Sequence, residues 1–231
     1  MSNSLRVAFY DFDGTLVSSN VVTRYAYFAK HHPAKLAAIW RYGRVLLGVP
    51  LWIGLDLYSR RLFNEVFFRQ YRGLREDWLR GTSERLFAEE IAPTIHPGAM
   101  ELLDTDRAAG YRLVLVSGAL DFALAPAVRH FQFDDLIANR LEFKDGVATG
   151  EIVAPLLAEA AKVAAIRDYC AKYNVDTAHS KAYSDSLSDA PMLEAIGLPA
   201  AVNPDRRLRL LARERGWPIL DLKIPRHGDN R

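Results

Sequence analysis

Two aspartates stand two residues apart in the stretch Asp11-Phe12-Asp13-Gly14-Thr15-Leu16. They follow a short apolar run, Leu5 to Tyr10, that reads as a buried strand, and Gly14 lets the chain turn sharply afterwards. On extended backbone, residues i and i+2 point the same way, so both carboxylates can face one pocket at the strand's carboxyl end. Acids that close repel unless a cation or a shared proton intervenes. The chemistry implied is metal-assisted, with one carboxylate attacking and the other moving protons. A calcium loop would need an acid eleven residues after its first ligand, and Val22 stands there instead.

Three further clusters could complete such a site. Ser117 and Gly118 follow a second apolar run, Tyr111 to Val116. Lys162 lies on a helical stretch, and Asp185 and Asp189 follow Ala182-Tyr183-Ser184. A transferred phosphoryl group needs a nucleophile, a cation, donors for its oxygens and an acid for the leaving group. Asp11 can attack phosphorus to form an aspartyl phosphate, and Asp13 can move the protons. Ser117 and the Gly118 amide can donate to phosphate oxygens. Lys162 can balance charge. Asp185, Asp11 and a backbone carbonyl offer the hard oxygens that Mg²⁺ prefers. Asp189, one helical turn beyond Asp185, can orient metal-bound water or Lys162.

These residues must be positioned by a scaffold. Apolar runs alternate with helical patterns from residue 92 onward, which predicts an α/β fold with a parallel sheet. Each polar cluster falls at the carboxyl end of a predicted strand, where ligands of such sheets bind. Lys144-Asp145-Gly146 predicts a hairpin turn. Pro199 to Val202 predicts a further strand, and Pro218 to Leu222 an edge strand. Asn203-Pro204 predicts the start of a helix that Gly216 ends. Arg226 to Arg231 reads as a frayed tail. Residues 19–91 show helical patterns only. They predict a helical cap inserted after the first strand, with residues 1–18 and 92–231 as the catalytic core. Within the cap, Gly48-Val49-Pro50 is expected to separate a helix over residues 34–47 from one over 51–71.

Charge is uneven along the 231 residues. Residues 35–75 hold eight basic side chains against Asp56 and Glu65, a net +6, while the whole chain is only +2. The same segment holds Trp40, Tyr42, Trp52, Tyr58, Phe63, Phe67, Phe68 and Tyr71. It supports two readings: a helical cap with an aromatic core and a solvated basic face, or a surface that touches anionic membrane and accepts an acyl-bearing phosphate. Nucleic acid is not expected, because the basic residues are mixed into apolar sequence. The uncharged run Val45 to Leu55 is too short to span a bilayer. The single cysteine, Cys170, allows no intrachain disulfide and no cysteine metal cluster. The first strand begins almost at once, so no leader is expected and the expected compartment is the cytoplasm.

DFDGTL at 11–16, VSG at 116–118, Lys162 and YSDSLSD at 183–189 together resemble the four motifs of haloacid-dehalogenase-superfamily phosphatases. Asp185 to Leu193, and Ala201 to Pro218, resemble the phosphoserine-phosphatase-like branch. The resemblance implies a Rossmann-like core with a helical cap and a Mg²⁺-dependent phosphomonoester hydrolase. It assigns Asp11 as nucleophile, Asp13 as acid/base, and Ser117 and Lys162 as phosphate holders. Asp185 is then the Mg²⁺ ligand, with Asp11 and the Asp13 carbonyl. Asn20, Arg60 and Arg61 are candidates for choosing the leaving group. Asn20 stands where phosphoserine phosphatases usually carry an acid, and Glu159-Ala160 replaces the usual Gly-Glu before the motif lysine. The expected substrate is a small-molecule or lipid-type phosphomonoester. A phosphotransferase or mutase on the same intermediate, and a non-catalytic phosphate- or lipid-binding module, are the alternatives.

Overall fold

The computed structural model describes residues 4–223, so the expected tail at 226–231 lies outside the described residues. The chain opens with strand β1 (Val7–Tyr10). Its four residues are completely buried, as a strand covered on both faces requires. Four helices follow before the next strand of the sheet is approached: α1 (Val21–Lys30), α2 (Lys35–Tyr58), α3 (Arg60–Phe67) and α4 (Glu76–Leu86). Then α5 (Ala99–Ala108) leads into β2 (Arg112–Leu120), α6 (Asp121–Phe131) and β3 (Asp135–Asn139). A small antiparallel hairpin, β4 (Leu141–Lys144) and β5 (Val147–Ile152), stands apart from the main sheet. The chain ends through α7 (Ala160–Tyr173), β6 (Lys181–Ser184), α8 (Ala190–Glu194), β7 (Leu198–Val202), α9 (Arg206–Arg215) and β8 (Ile219–Leu220).

The main sheet has the order β3-β2-β1-β6-β7-β8, and every pair is parallel. The chain therefore builds one side of β1, then crosses over and builds the other. Between β1 and β6 lies the topological switch point, where open α/β sheets leave a crevice for ligands. Asp11 and Asp185, each one residue past its strand, sit on either side of that crevice. The Asp11 amide donates to the Tyr183 carbonyl at 2.9 Å, so the two strand ends are joined directly.

Three expectations from sequence change. Gly48-Val49-Pro50 does not interrupt α2, which runs through it for 24 residues. Pro50 has no N–H to offer the Leu46 carbonyl, but both residues lie on the exposed side of the helix, where water can serve instead. The break falls at Ser59, whose backbone is extended and whose Oγ accepts from the Leu62 amide to start α3. Asn203 does not cap α9; Asp205 does, accepting from the Leu208 amide at 2.7 Å. Strand β3 was not foreseen. It is short and half-buried at the sheet edge, and its polar ends, Asp135 and Asn139, mask the strand pattern.

The aromatic segment of the insertion is partly interior and partly surface. Trp52, Phe63, Phe67, Phe68 and Tyr71 are buried together with Tyr25 and Phe28, largely in edge-to-face contacts. Trp40 and Tyr58 are exposed.

Beneath the sheet's centre one carboxylate is wholly buried. Asp106 accepts hydrogen bonds from Tyr10, from Tyr183 at 2.8 Å and from the Lys181 ammonium at 2.6 Å. It joins α5 to β1 and β6 and so fixes the two strands that carry the aspartates. Removing it leaves a half-buried ammonium and two buried phenols without their acceptor. Asp106→Ala is expected to lose about 3–5 kcal/mol of stability in urea unfolding, the range for breaking a buried charge pair by deleting one partner.

Candidate active site

Asp11 leaves β1 buried, and its two oxygens have separate partners. Oδ1 accepts from the Lys162 ammonium at 2.7 Å, and Oδ2 lies 3.3 Å from the Thr15 hydroxyl. That same hydroxyl is 3.3 Å from Asp185 Oδ1, so Thr15 stands between the two carboxylates. Gly14 makes their approach possible. Its φ is +84°, and a Cβ there would lie 2.0 Å from Asp185 Oδ2. Lys162 reaches the site from the first turn of α7 and also donates to Asp189 Oδ2 at 2.8 Å. Ser184 donates to the same oxygen at 2.8 Å. Of the two roles expected for Asp189, its hydrogen bonding matches the orientation of Lys162.

The phosphate side of the site comes from the end of β2. Ser117 is buried, and its Oγ accepts from the Ala119 amide at 3.1 Å. Asn139, from the unforeseen β3, donates to the Gly118 carbonyl at 2.6 Å and accepts from the Leu157 amide at 2.7 Å. It thereby joins the Gly118 turn to the segment that precedes α7. Within that segment Glu159 takes φ 49°, a conformation that glycine adopts freely and glutamate does not. The glycine that the resemblance implies at this position would meet that backbone requirement without strain.

These groups converge on one cavity of about 70 Å³, lined by Asp11, Asp13, Ser117, Gly118, Lys162, Asp185 and Asp189. Asn20, Arg60 and Asn64 line it from the helical insertion. Of the three candidates for choosing the leaving group, Asn20 reaches the cavity but also caps α1, its Oδ1 accepting from the Val22 and Thr23 amides. Arg60 lines the wall. Arg61 does not: it points to the surface and pairs with Glu65 one turn on, because adjacent helix positions face about 100° apart.

Four contributors escaped the sequence reading. Arg24, almost wholly buried, grips both oxygens of Asp13, with Nη1 at 3.0 Å from Oδ2, and its guanidinium lies 5.1 Å from the Phe12 ring centre. Asn64 is one turn from Arg60 on α3 and equally part of the wall. Thr15 lay within a recognised motif but carried no assigned role. Asn203, at φ 47°, donates to the Thr15 carbonyl at 3.1 Å and accepts from the Leu222 amide, clamping the catalytic loop from below.

The electrostatics of the cluster fit a cation. When all three are ionised, Asp11, Asp185 and Asp189 set three negative charges against one ammonium, which leaves two uncancelled. Burial pushes Asp11 above the usual carboxylate range; Lys162 opposes this, while Asp189 and Asp13 add to it. Burial also raises Asp185, with Asp11 and Asp189 adding to the shift. Burial works against the charge on Lys162, but Asp11 and Asp189 outweigh it and hold the ammonium protonated. Among the described residues no group of three or more His, Cys, Asp or Glu forms a metal site. The fit therefore rests on two carboxylates, Asp11 and Asp185, completed by oxygens other than carboxylates, a set that suits Mg²⁺ because it keeps several waters.

The sequence profile of haloacid dehalogenase-like hydrolases matches residues 8–194, and the chain belongs to that family. A phosphoserine phosphatase of Mycobacterium tuberculosis is 31% identical over 229 residues, covering 95% of this chain and 71% of its own. A histidinol-phosphatase of Neisseria meningitidis is 32% identical over 141 residues, 59% of this chain and 63% of its own. Among solved structures, a protein of unknown function from Bordetella pertussis Tohama I superposes with a TM-score of 0.80 at 26% identity, covering 95% of this chain and all of its own. A phospho-aspartyl intermediate analogue of phosphoserine phosphatase has the same fold, with a TM-score of 0.70 at 21% identity over 96% of this chain and 95% of its own. The protein is a phosphatase of the phosphoserine-phosphatase-like branch.

The raised carboxyls set a pH dependence for the chelated protein. A group whose folded pKa lies above its unfolded value of about 4 destabilises the fold as pH rises past that value. Thermal unfolding in chelator is expected to show falling stability from mildly acidic to mildly alkaline pH. Excess Mg²⁺ is expected to raise the melting temperature more at the alkaline end, where both carboxyls must be ionised.

Proposed function

We propose that the protein is a Mg²⁺-dependent phosphomonoesterase that works through an aspartyl phosphate on Asp11, with a small-molecule or lipid-type phosphate as substrate. The observation that carries this reading is the arrangement around Asp11. One of its oxygens is held by Lys162, the other by the Thr15 hydroxyl that also reaches Asp185. A carboxylate so fixed has lost the freedom to rotate, and positioning of this kind is a large part of what phosphoryl transfer needs.

In the first half-reaction an Asp11 oxygen bonds to phosphorus, the ester P–O bond breaks, and Asp13 gives its proton to the departing oxygen. In the second, Asp13 takes a proton from water, the water oxygen bonds to phosphorus, and the bond to Asp11 breaks to release phosphate. Ser117 Oγ and the Gly118 amide donate to the phosphoryl oxygens, and Lys162 balances their charge. Asp11, Asp185 and the Asp13 carbonyl would hold Mg²⁺, which supplies electrostatic stabilisation to the charge that builds on those oxygens. Asp13 can act only if one of its oxygens leaves Arg24, so Arg24 is a positioning residue for proton transfer.

Two substitutions test the chemistry. Asp11→Asn is expected to abolish hydrolysis of p-nitrophenyl phosphate, and chelator is expected to do so reversibly. Full activity in Asp11→Asn protein would end this mechanism. Arg24→Met is expected to lower kcat by about a hundredfold, the low end of the range for general acid–base catalysis, with a smaller change in KM.

A further inference from the structure

One helix of the insertion is apolar on its outer side. Helix α2 exposes Leu36, Ile39, Trp40, Leu46, Leu47 and Leu51, each between 56% and 86% accessible. At 3.6 residues per turn these six fall within about 140° of arc, together with Gly43, Pro50 and Gly54. The opposite side carries Val45 and Trp52, both buried. Scattered single apolar residues on a surface are ordinary, but a continuous apolar face along a whole helix marks an interaction surface.

Charge indicates what the face meets. Residues 14–55 contain no Asp or Glu, while Lys30, Lys35 and Arg44 are exposed beside or along α2. The Arg44 guanidinium lies 4.6 Å from the Trp40 ring centre, a pair with an apolar body and a charged rim. An apolar strip with a basic flank complements an anionic lipid surface. A second copy of the chain is a poorer occupant. A twofold contact would bring two unneutralised basic flanks together.

Length alone would let Lys35–Leu55 cross a bilayer, contrary to the expectation drawn from its longest uncharged run. Its packing argues for lying flat. Arg41 donates to the Gln70 and Arg72 carbonyls, both at 2.9 Å, and ties the inner side of α2 to the rest of the insertion.

A groove of about 480 Å³ connects this face with the site. Asp13, Asp185, Asn20 and Arg60, which also line the site cavity, belong to it, together with Val49, Trp52 and Ile53 of α2 and Phe63 of α3. Val49 and Ile53 are 37% and 56% accessible and sit at the margin of the outer face. The groove thus changes from charged and polar to apolar as it approaches the surface where α2 would meet lipid.

We infer that α2 seats the protein on an anionic lipid surface and that this groove receives a membrane-borne phosphomonoester, phosphate inward at Asp11 and acyl chain outward along Val49, Trp52 and Ile53. The substrate half of this inference rests on the phosphatase reading above.

The test uses the whole protein in low salt. Wild type is expected to sediment with vesicles of phosphatidylcholine and phosphatidylglycerol, not with phosphatidylcholine alone, and to be released by high salt. The double variant Leu36→Glu, Leu47→Glu alters two of the most exposed positions of the face. It is expected to lose vesicle binding by about tenfold or more while keeping its circular dichroism and its turnover of p-nitrophenyl phosphate. Wild type is expected to hydrolyse lysophosphatidate in those vesicles with a kcat/KM at least about tenfold above that for glycerol 3-phosphate, and the variant to lose that advantage. Wild type that stays in the supernatant overturns the docking. A soluble dimer that the double variant dissociates assigns the face to a second copy and also overturns it. Equal turnover of the two phosphates overturns the acyl groove. Absence of any p-nitrophenyl phosphate turnover instead overturns the phosphatase reading, and vesicle sedimentation still decides the docking.

Discussion

A buried ammonium between two carboxylates governs this structure. Lys162 sits 2.7 Å from Asp11 and 2.8 Å from Asp189, and none of the three has free access to water. Taking such charges out of water is expensive unless each has its partner, so every element that delivers one must be held in register. Asp11 comes from β1, Lys162 from α7, and Asp189 from the short turn before α8. The parallel sheet brings these together at its switch point, and the Asp106 cluster beneath pins the two central strands. The fold supports the site from below, and in the absence of a cation the site works against the fold, since Asp185 remains beside Asp11 with no ammonium of its own.

The residues that line the cavity from the core were legible in sequence because their constraints are local. An aspartate pair on extended backbone, a Ser-Gly at a strand end and an Asp followed by another four residues on each carry their geometry in their spacing. Asn64 and Asn203 had no such signal. Each meets residues far away in the chain, Asn64 beside Gly118 and Asn203 on the Thr15 carbonyl, across a contact that only the folded topology creates. Arg24 is an intermediate case. It lies one helical turn from the N-cap Asn20, and its charge inside an apolar helix could have suggested a buried partner. The misplaced break in α2 has a different origin. Proline signals a stop in sequence, whereas an exposed proline in a long helix leaves the carbonyl four residues before it to water.

The insertion also shows why composition alone left two readings open. Its aromatics serve two purposes that a residue count cannot separate. Phe63, Phe67 and Tyr71 fill an interior, while Trp40 and Tyr58 look outward. Helical phase distinguishes them, but phase could not be carried through Gly48-Val49-Pro50 once that segment was taken as a boundary. With α2 continuous, the outward residues align as one face.

The grip of Arg24 on Asp13 joins two parts that otherwise look modular. Arg24 belongs to the first helix of the insertion, and Asp13 to the loop after β1. An insertion grafted from a relative would bring its own wall residues, but it would also remove the partner of Asp13. Transplanting this segment therefore cannot be neutral toward Asp13. In this chain the insertion supplies both wall residues of the cavity and the partner of Asp13, and a graft has to carry an arginine at the matching turn or leave that aspartate without it.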